Sequence, residues 1–299
     1  MSLSPFLDMA FAIQRIKKIE MAMPIIKKMG LVTPLLVGDD LALKSTISSP
    51  QSYDREMTQL IYKHMEFIEE GENKKPKSYE EFVRNLSNID KICLIFGIYK
   101  VTYDTFGKRK IKCADPNCDA EFEVEFLPDD LIHEDTFIPW EEEAPFNEYT
   151  FEIEIPYDTY TYKFGTKLPS IYDHNVVLSF ITTEDIQDHI QKTGNLFALP
   201  EQMALLTRYI KIGQTGKPDT EVMTSNLQEI LVTFNSAVPK KIQDKFFREY
   251  NKKFSKYNPK FYKHINCPKC QKAEKRTVNI ELEFFRRAVF GEMEGIEEI

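Results

Sequence analysis

Residues 108–126 read KRKIKCADPNCDAEFEVEF, and this stretch joins two strand-like segments through a short turn that carries two cysteines. After the turn, glutamate alternates with an apolar residue from Glu121 to Phe126. Alternation with a period of two is typical of a strand that has one face in the core and one in water. The stretch therefore predicts a β-hairpin with Cys113 and Cys118 in its turn.

A second cysteine pair lies near the end of the chain, in FYKHINCPKCQKAEKRTVNIELEFF at 261–285. The 148 residues at positions 119–266 separate it from the first pair. Two cysteines with two to four residues between them can direct both sulfurs at one metal ion, and Zn²⁺ prefers four such ligands in a tetrahedron. We predict one closed, structural Zn²⁺ site of the zinc-ribbon type, formed by Cys113, Cys118, Cys267 and Cys270.

Two other interpretations of these cysteines stay open on the sequence. Cys113 and Cys118 could be simple thiols on a turn, and His264 could replace one of the four ligands. Disulfides are not expected, because five cysteines leave one unpaired and the cytoplasm, where we place the protein, is reducing. Cys93 lies in the apolar stretch DKICLIFGIY and is predicted to be a small core residue.

The hydrophobic pattern along the chain predicts an α+β fold in three parts. Residues 1–107 form a mainly helical N-terminal region. Residues 108–126 together with 260–287 form the zinc-ribbon-like module, and residues 127–259 form a mixed α/β insertion between its two knuckles. The metal would hold the two ends of that insertion together.

Individual elements follow from periodicity and from start and stop signals. Helices are predicted over 1–30, 41–50, 53–70, 182–194, 199–213, 219–235 and 238–257. One further helix is predicted over 79–99, where Ser78 and Glu81 have the spacing of a capping box. Strands are predicted at 149–155, where we expect pairing with 121–126, and at 176–181.

Charge is strongly segregated in a chain whose net charge is −8. Positions 119–158 hold 15 acidic residues and no lysine or arginine, whereas positions 240–276 hold 13 basic residues and three acidic ones. The two blocks adjoin the two cysteine pairs, so the metal would bring them together. We therefore expect the glutamates of the first hairpin to lie near the cations of the second, namely Lys269, Lys272, Lys275 and Arg276.

Several classes of function find no support in the sequence. No apolar run approaches the roughly 20 residues of a membrane-spanning helix, and the start of the chain lacks the features of a secretory signal. No Gly-x-Ser-x-Gly or His-Glu-x-x-His motif occurs, and the five histidines form no visible acid–base constellation. We predict that the protein is not an enzyme and does not enter a membrane.

Nucleic-acid binding is the alternative function that the sequence suggests. The stretch KKFSKYNPKFYKH at 252–264, within the basic block 240–276, interleaves cations with aromatic residues, as phosphate contact and base stacking require. The competing interpretation is an amphipathic helix whose aromatic residues belong to the core. The neighbouring acidic block would also repel phosphate, which makes nucleic acid the less favoured partner.

The order of three motifs resembles the baseplate hub assembly proteins of T-even-type contractile-tailed phages. The motifs are LLVGDDLALKSTISSPQSYDREMTQLIYKH, then SYEEFVRNLSNIDKICLIFGIYKVTYDTFGKRKIKCADPNC, then CPKC followed by VNIELEFFR. The resemblance covers roughly residues 33–126 and 260–287. It implies a non-enzymatic structural or assembly component of the baseplate hub or wedge, with other baseplate and tail proteins as partners. Such a protein would occupy the host cytoplasm during assembly and then the virion tail baseplate.

Overall fold

The computed structural model describes residues 18–46, 49–131, 138–140, 151–182, 184–185, 189 and 198–280, which mix helix and sheet. The helices are α1 (Val37–Ser45), α2 (Pro50–His64), α3 (Tyr79–Asn85), α4 (Asn88–Thr102), α5 (Ile171–Leu178), α6 (Leu199–Leu206), α7 (Leu227–Ser236) and α8 (Lys240–Phe254). The strands are β1 (Ile19–Met23), β2 (Lys28–Val32), β3 (Met65–Glu69), β4 (Glu72–Lys74), β5 (Lys108–Lys112), β6 (Glu121–Glu125), β7 (Glu152–Tyr157), β8 (Tyr160–Thr166), β9 (Thr207–Gln214), β10 (Val222–Thr224), β11 (Tyr262–Asn266) and β12 (Ala273–Thr277). Across these described ranges, no helix combines the length and the apolar character needed to cross a bilayer.

The strands of the described ranges form four antiparallel sheets. Two sheets have four strands each, in the orders β1-β2-β3-β4 and β10-β9-β8-β7. The other two are the hairpins β5-β6 and β11-β12, which are the two cysteine-bearing hairpins that the sequence predicts.

Helix α4 lies at the centre of the first hydrophobic core. Ten of its 15 residues are buried, and its apolar residues are spread around the whole circumference, which is the pattern of a helix enclosed by protein. Cys93 is fully buried in this helix, as predicted for a core thiol. Residues from the first sheet, from α1 to α3 and from both cysteine hairpins pack in the same core.

The prediction of a helix over 1–30 is wrong for residues 19–32, which form the hairpin β1-β2; residues 1–17 lie outside the described residues. The hairpin lies directly on α4 at Gly97. A Cβ atom at that glycine would be 2.3 Å from Met21 Cγ and 2.9 Å from Val32 Cγ2. Long-range packing of this kind overrides local helical spacing, because it depends on a residue far away in the sequence.

A buried carboxylate fixes the turn of the same hairpin. Asp90, at the start of α4, accepts hydrogen bonds from the Ile25 backbone N–H at 3.0 Å and from Ser87 Oγ at 2.7 Å. Burial raises the pKa of Asp90 to about 6, although these hydrogen bonds act in the opposite direction. The β1-β2 turn is therefore tied to the start of the central helix.

The remaining N-terminal predictions are partly confirmed. Ser78 caps α3, since its side chain accepts the Glu81 N–H at 3.1 Å. The single helix predicted over 79–99 is two helices, because Ser87 caps a new one by accepting the Asp90 N–H. The helix predicted over 53–70 ends at His64, and the chain continues as β3. The first third is thus less helical than predicted, since it contains a complete four-stranded sheet.

The insertion shows a similar mixture of outcomes. The strand predicted at 176–181 is wrong, because a capping box between Ser170 and Asp173 begins α5, which extends to Leu178. The segment 149–155 contains the start of β7, but β7 pairs with β8 rather than with β6. The helix predicted over 199–213 is only half correct, because α6 ends at Leu206 and the chain continues as β9. The helix predicted over 219–235 is likewise divided, since β10 precedes α7. Helix α8 confirms the helix predicted over 238–257. Most of the helix predicted over 182–194 lies outside the described residues.

A second hydrophobic core lies between the sheet β10-β9-β8-β7 and the helices α7 and α8. The Phe164 ring packs between Phe234, at a centroid distance of 5.7 Å, and Phe246, at 5.2 Å. Trp140 stacks on Phe254 of α8 at 5.4 Å and donates its backbone N–H to the Pro24 carbonyl at 2.7 Å. The insertion therefore contacts the β1-β2 turn through a buried tryptophan.

The close contact at Gly97 gives a testable prediction. Gly97→Ala is expected to lower the free energy of unfolding by about 1–3 kcal/mol, because the added methyl group overlaps Met21 and Val32. The matched control is Gly38→Ala in α1, where an added Cβ meets no atom within 4 Å. That change should leave stability equal or up to about 1 kcal/mol higher, as helix propensity alone requires. Urea unfolding distinguishes the two, and a stabilising Gly97→Ala would contradict the packing of β1-β2 on α4.

Candidate metal centre

The first cysteine turn is closed by its own backbone. The Cys113 N–H donates to the Ala120 carbonyl at 3.0 Å, and the Cys118 N–H donates to the Asp115 carbonyl at 2.9 Å. The Asp115 N–H points at Cys113 Sγ, 3.4 Å away, which is the kind of hydrogen bond that supports a metal-bound thiolate. The turn therefore holds both sulfurs in a defined position.

The second cysteine turn is shorter, and backbone hydrogen bonds close it as well. The Cys267 N–H donates to the Lys272 carbonyl at 3.0 Å, and the Gln271 N–H donates to the Cys267 carbonyl at 2.9 Å. Gln271 has a left-handed backbone with φ of 61°, which reverses the chain directly after Cys270. Strand β12 then returns beside β11 in a regular antiparallel register.

The four sulfurs meet at one point, and all of them lie within 4.8 Å of one another. Cys113 Sγ lies 3.6 Å from Cys270 Sγ, and Cys118 Sγ lies 3.8 Å from Cys267 Sγ. A tetrahedron of thiolates with metal–sulfur bonds of about 2.3 Å has sulfur–sulfur edges of about 3.8 Å. The same distances are far beyond the roughly 2.05 Å of a disulfide bond. The cluster therefore has dimensions that fit a tetrahedral metal ion, and the structure brings all four predicted ligands together.

Without a metal, the thiols of this cluster differ in acidity. The backbone N–H of Cys270, together with that of Lys269, lowers the pKa of Cys267 to about 7. The Asp115 N–H acts in the same direction on Cys113, but burial and the neighbouring thiols outweigh it and raise the pKa of Cys113 to about 12. Metal ligation requires thiolates, so binding releases protons and weakens as the pH falls.

Polar contacts beside the sulfurs join one hairpin to the other. The Ala114 N–H donates to Glu274 Oε2 at 2.9 Å, and Arg276 Nε lies 3.0 Å from the other oxygen of the same carboxylate. Arg276 also donates to the Lys112 carbonyl on β5. Two lysines of the second hairpin face aspartates of the first turn, in the pairs Lys269 with Asp119 and Lys272 with Asp115.

These contacts correct the predicted charge pairing. The glutamates of β6 lie opposite the lysines of β5 within their own hairpin, in the register pairs Lys108 with Glu125, Lys110 with Glu123 and Lys112 with Glu121. The cations expected to face them are engaged elsewhere, because Lys269 and Lys272 reach aspartates, Arg276 reaches Glu274, and Lys275 lies over the Tyr262 ring. Opposite charges do meet across the module, but at the turns rather than along the strands.

The bases of both hairpins are anchored in the first core. The Phe106 N–H donates to the Phe126 carbonyl at 2.8 Å, and the Val278 N–H donates to the Phe261 carbonyl at 2.8 Å. The Phe261 ring packs against Phe96 of α4 at 4.7 Å between centroids. The hairpins are therefore held at one end by apolar packing, and their other ends meet at the four thiols.

His264 does not join the cluster, although it lies only three residues before Cys267. Its side chain is exposed on β11, and its ring packs edge-on against Tyr262 at 5.2 Å. Within the described residues, the group that could hold a metal consists of the four cysteines. Four protein thiolates fill a tetrahedral coordination shell, so a metal bound here would have no open position for water or substrate.

The structure also shows two buried ionic clusters that the sequence analysis missed. In the first, the fully buried Lys91 Nζ lies 2.5 Å from Asp54 Oδ1, and His174 Nδ1 lies 3.5 Å from Asp54 Oδ2. Burial acts to raise the pKa of Asp54, but Lys91 and His174 outweigh it and hold the pKa well below its ordinary value. The signal was a charged residue, Lys91, directly before the apolar run ICLIFGIY of α4.

The second cluster joins α1, α2 and the end of β2. His64 Nε2 lies 2.8 Å from Asp39 Oδ2, and His64 Nδ1 lies 3.0 Å from Thr33 Oγ1. Asp39 also accepts the Leu36 backbone N–H at 2.7 Å, and Lys63 lies 2.6 Å from its other oxygen. Burial lowers the pKa of His64, although Asp39 opposes this change. The carboxylate and the imidazole thus hold three elements together inside the fold.

The aromatic residues of the basic stretch are core residues. Phe254, Tyr257, Phe261 and Tyr262 are between 1% and 8% exposed. Base stacking requires an accessible ring face, which these side chains do not offer. This burial matches the competing interpretation, in which the aromatics lie on the core face of an amphipathic segment.

The cluster of Lys91, Asp54 and His174, which we call the buried triad, gives a second prediction. Lys91→Met leaves Asp54 with a buried charge that His174 alone must balance, so the free energy of unfolding should fall by about 3–5 kcal/mol. The matched control is Lys100→Met on the same helix, because Lys100 pairs with Asp129, whose side chain is 81% exposed. That control should cost at most about 1 kcal/mol. Equal losses in urea unfolding would show that the triad has no special role.

The chain was compared with protein-family models, with curated proteins and with solved structures, and none of them matches it.

Proposed function

We propose that Cys113, Cys118, Cys267 and Cys270 bind one structural Zn²⁺ ion in a zinc-ribbon-like module. The observation that supports this most strongly is the convergence of four thiols, from two hairpins far apart in the sequence, within 4.8 Å. Four soft thiolates in a tetrahedron favour Zn²⁺ or an iron centre over hard cations such as Mg²⁺ and Ca²⁺. Zinc is preferred here because its structural sites commonly combine two such turns.

The metal in this proposal acts as a cross-link between two hairpins. Each hairpin has only two strands, and an isolated two-stranded hairpin is marginally stable in water. Binding energy at a structural zinc site is gained on folding, because the unfolded chain does not present the preformed site. The module would therefore be a rigid, metal-dependent element with no reactive position on the ion.

At the level of biological role, we propose a non-enzymatic structural or assembly component of a contractile-tailed phage baseplate. The resemblance over residues 33–126 and 260–287 supports this role, and the coordinatively closed metal site suits it. Its partners would be other baseplate and tail proteins, met in the host cytoplasm during assembly and retained in the tail baseplate. The two histidine–aspartate pairs, His64 with Asp39 and His174 with Asp54, are consistent with a non-enzymatic role, because both are buried and hold the core together.

Nucleic-acid binding through residues 240–276 is the less favoured function. It depends on a surface that combines cations with stacking rings. The tyrosine and phenylalanine rings of this stretch are buried, except that of Phe247, which is partly buried against the second core. Protein–protein interaction requires no such rings, so we retain assembly as the proposed role.

The metal proposal predicts one zinc per chain, measured by elemental analysis of purified protein. Cys113→Ser and Cys267→Ser should each lose the metal and lower the free energy of unfolding by several kcal/mol, because metal binding is coupled to folding. Cys93→Ala is the matched control, since it removes a thiol that lies outside the cluster and should retain full zinc content. Iron in place of zinc, or equal metal content in all variants, would contradict the proposal.

The assembly proposal predicts that tagged protein from phage-producing cells co-purifies with tail and baseplate proteins in fixed ratio. Mass spectrometry after nuclease treatment and a high-salt wash measures this directly. Contacts based on phosphate weaken steeply with salt, so partners that disappear under these conditions would favour the nucleic-acid alternative. A protein that recovers no tail component at any salt concentration would contradict the baseplate role.

A further inference from the structure

Helix α8 presents two chemically different faces. Its inner face is buried in the second core through four residues spaced four apart, namely Ile242, Phe246, Tyr250 and Phe254. Its outer face carries cations at positions i, i+4, i+7 and i+11, which lie on one side of a helix. We call these four residues the basic stripe, and they are Lys241, Lys245, Arg248 and Lys252.

Most of the basic stripe lacks a carboxylate partner in the described part of the chain. Lys252 lies 2.7 Å from Glu249 one turn earlier. In contrast, no ion pair joins Lys241, Lys245 or Arg248 to another described residue. Lysines elsewhere on the same domain surface are paired, as Lys163 is with Glu221 and Lys167 with Asp173. Glu249 interacts electrostatically with Lys252 and also with Arg248 and Lys245, and these charges lower its pKa. The stripe is therefore only partly neutralised by the helix that carries it.

The stability of the fold does not explain this arrangement. Like charges three and four residues apart repel one another and weaken the helix that carries them. Asp244 and Glu249, four residues from Arg248 and Lys245, offset part of this repulsion, but cations remain in excess on this face. The first turn of α8 contains lysines and no acidic residue, although the positive end of the helix dipole favours acidic side chains there. Solubility does not require the stripe either, because the chain is acidic overall, with 47 acidic and 39 basic residues. An external anionic partner would turn this unfavourable pattern into a favourable one.

We propose that the basic stripe is a docking surface for an acidic segment of a protein partner, with carboxylates spaced along a helix or an extended chain. This inference rests on the proposed role in assembly and specifies the chemistry of one contact. Charge complementarity supports it, because the stripe is a single straight row of cations. A protein segment fits better than a nucleic acid, since the nearby rings of Phe254 and Tyr257 are buried and offer no face for base stacking.

The test is a titration of a fluorescent oligo-glutamate peptide against three forms of the full chain. The stripe variant carries Lys241→Glu, Lys245→Glu and Arg248→Glu. The control variant carries Arg55→Glu, Lys77→Glu and Lys217→Glu, which are exposed, scattered positions that give the same net charge. We expect the wild type to bind, the stripe variant to bind about tenfold or more weakly, and the control to stay within about threefold of the wild type. Thermal melting verifies that all three forms are folded.

Three outcomes would overturn the inference. The first is a wild type that does not bind the peptide, and the second is an equal loss in both variants, which would indicate an effect of net charge alone. The third is a DNA duplex that binds the wild type more tightly than the peptide and loses that binding in the stripe variant. The titration contains no tail protein, so its failure leaves the co-purification result intact. Conversely, a positive titration with no recovered tail component would contradict the baseplate role and not the stripe.

Discussion

The two cysteine hairpins meet at four thiols, and the metal ion proposed there is the link on which the arrangement of the hairpin tips depends. Closing a loop of 148 residues, positions 119–266, costs roughly 4 kcal/mol of chain entropy. Apparent binding energies at small structural zinc sites are about 10–16 kcal/mol, so a bound metal exceeds that cost by a wide margin. The four thiols by themselves supply no comparable energy, because sulfurs 3.6–3.8 Å apart are separated by more than a covalent bond and interact weakly.

The two cores explain how such a cross-link can hold a large insertion. The hairpin bases lie in the first core around α4, where Phe261 packs on Phe96. The insertion builds a second core on α7 and α8, and α8 leads directly into the second hairpin. Trp140 adds a contact from the insertion to the β1-β2 turn. The four-thiol cluster is thus one of several connections between the parts, and together with the polar contacts beside it the cluster joins the hairpin tips.

Local sequence patterns correctly predicted those structural features that depend on residues close together in the chain. The two cysteine turns, the alternation of β6, the cap at Ser78 and the amphipathic helix α8 all follow from short-range signals, and the structure confirms them. The β1-β2 hairpin does not, because its packing is decided by Gly97, far along the chain. The same holds for the pairing of β7 with β8 and for the buried triad of Lys91, Asp54 and His174, whose members come from three different helices. The spacing of residues along the sequence predicts neither the β7-β8 pairing nor the buried triad, because both depend on contacts between distant segments.

The most direct test of the metal cross-link is X-ray absorption at the zinc edge of the purified full-length protein. Four sulfur neighbours at about 2.3 Å are expected around the zinc, with no nitrogen or oxygen bonded to it. A shell that contains nitrogen or oxygen would show that a residue other than the four cysteines, or a solvent molecule, completes the site. Protein without zinc, with all four thiols free, would contradict the proposal that a metal joins the two hairpins.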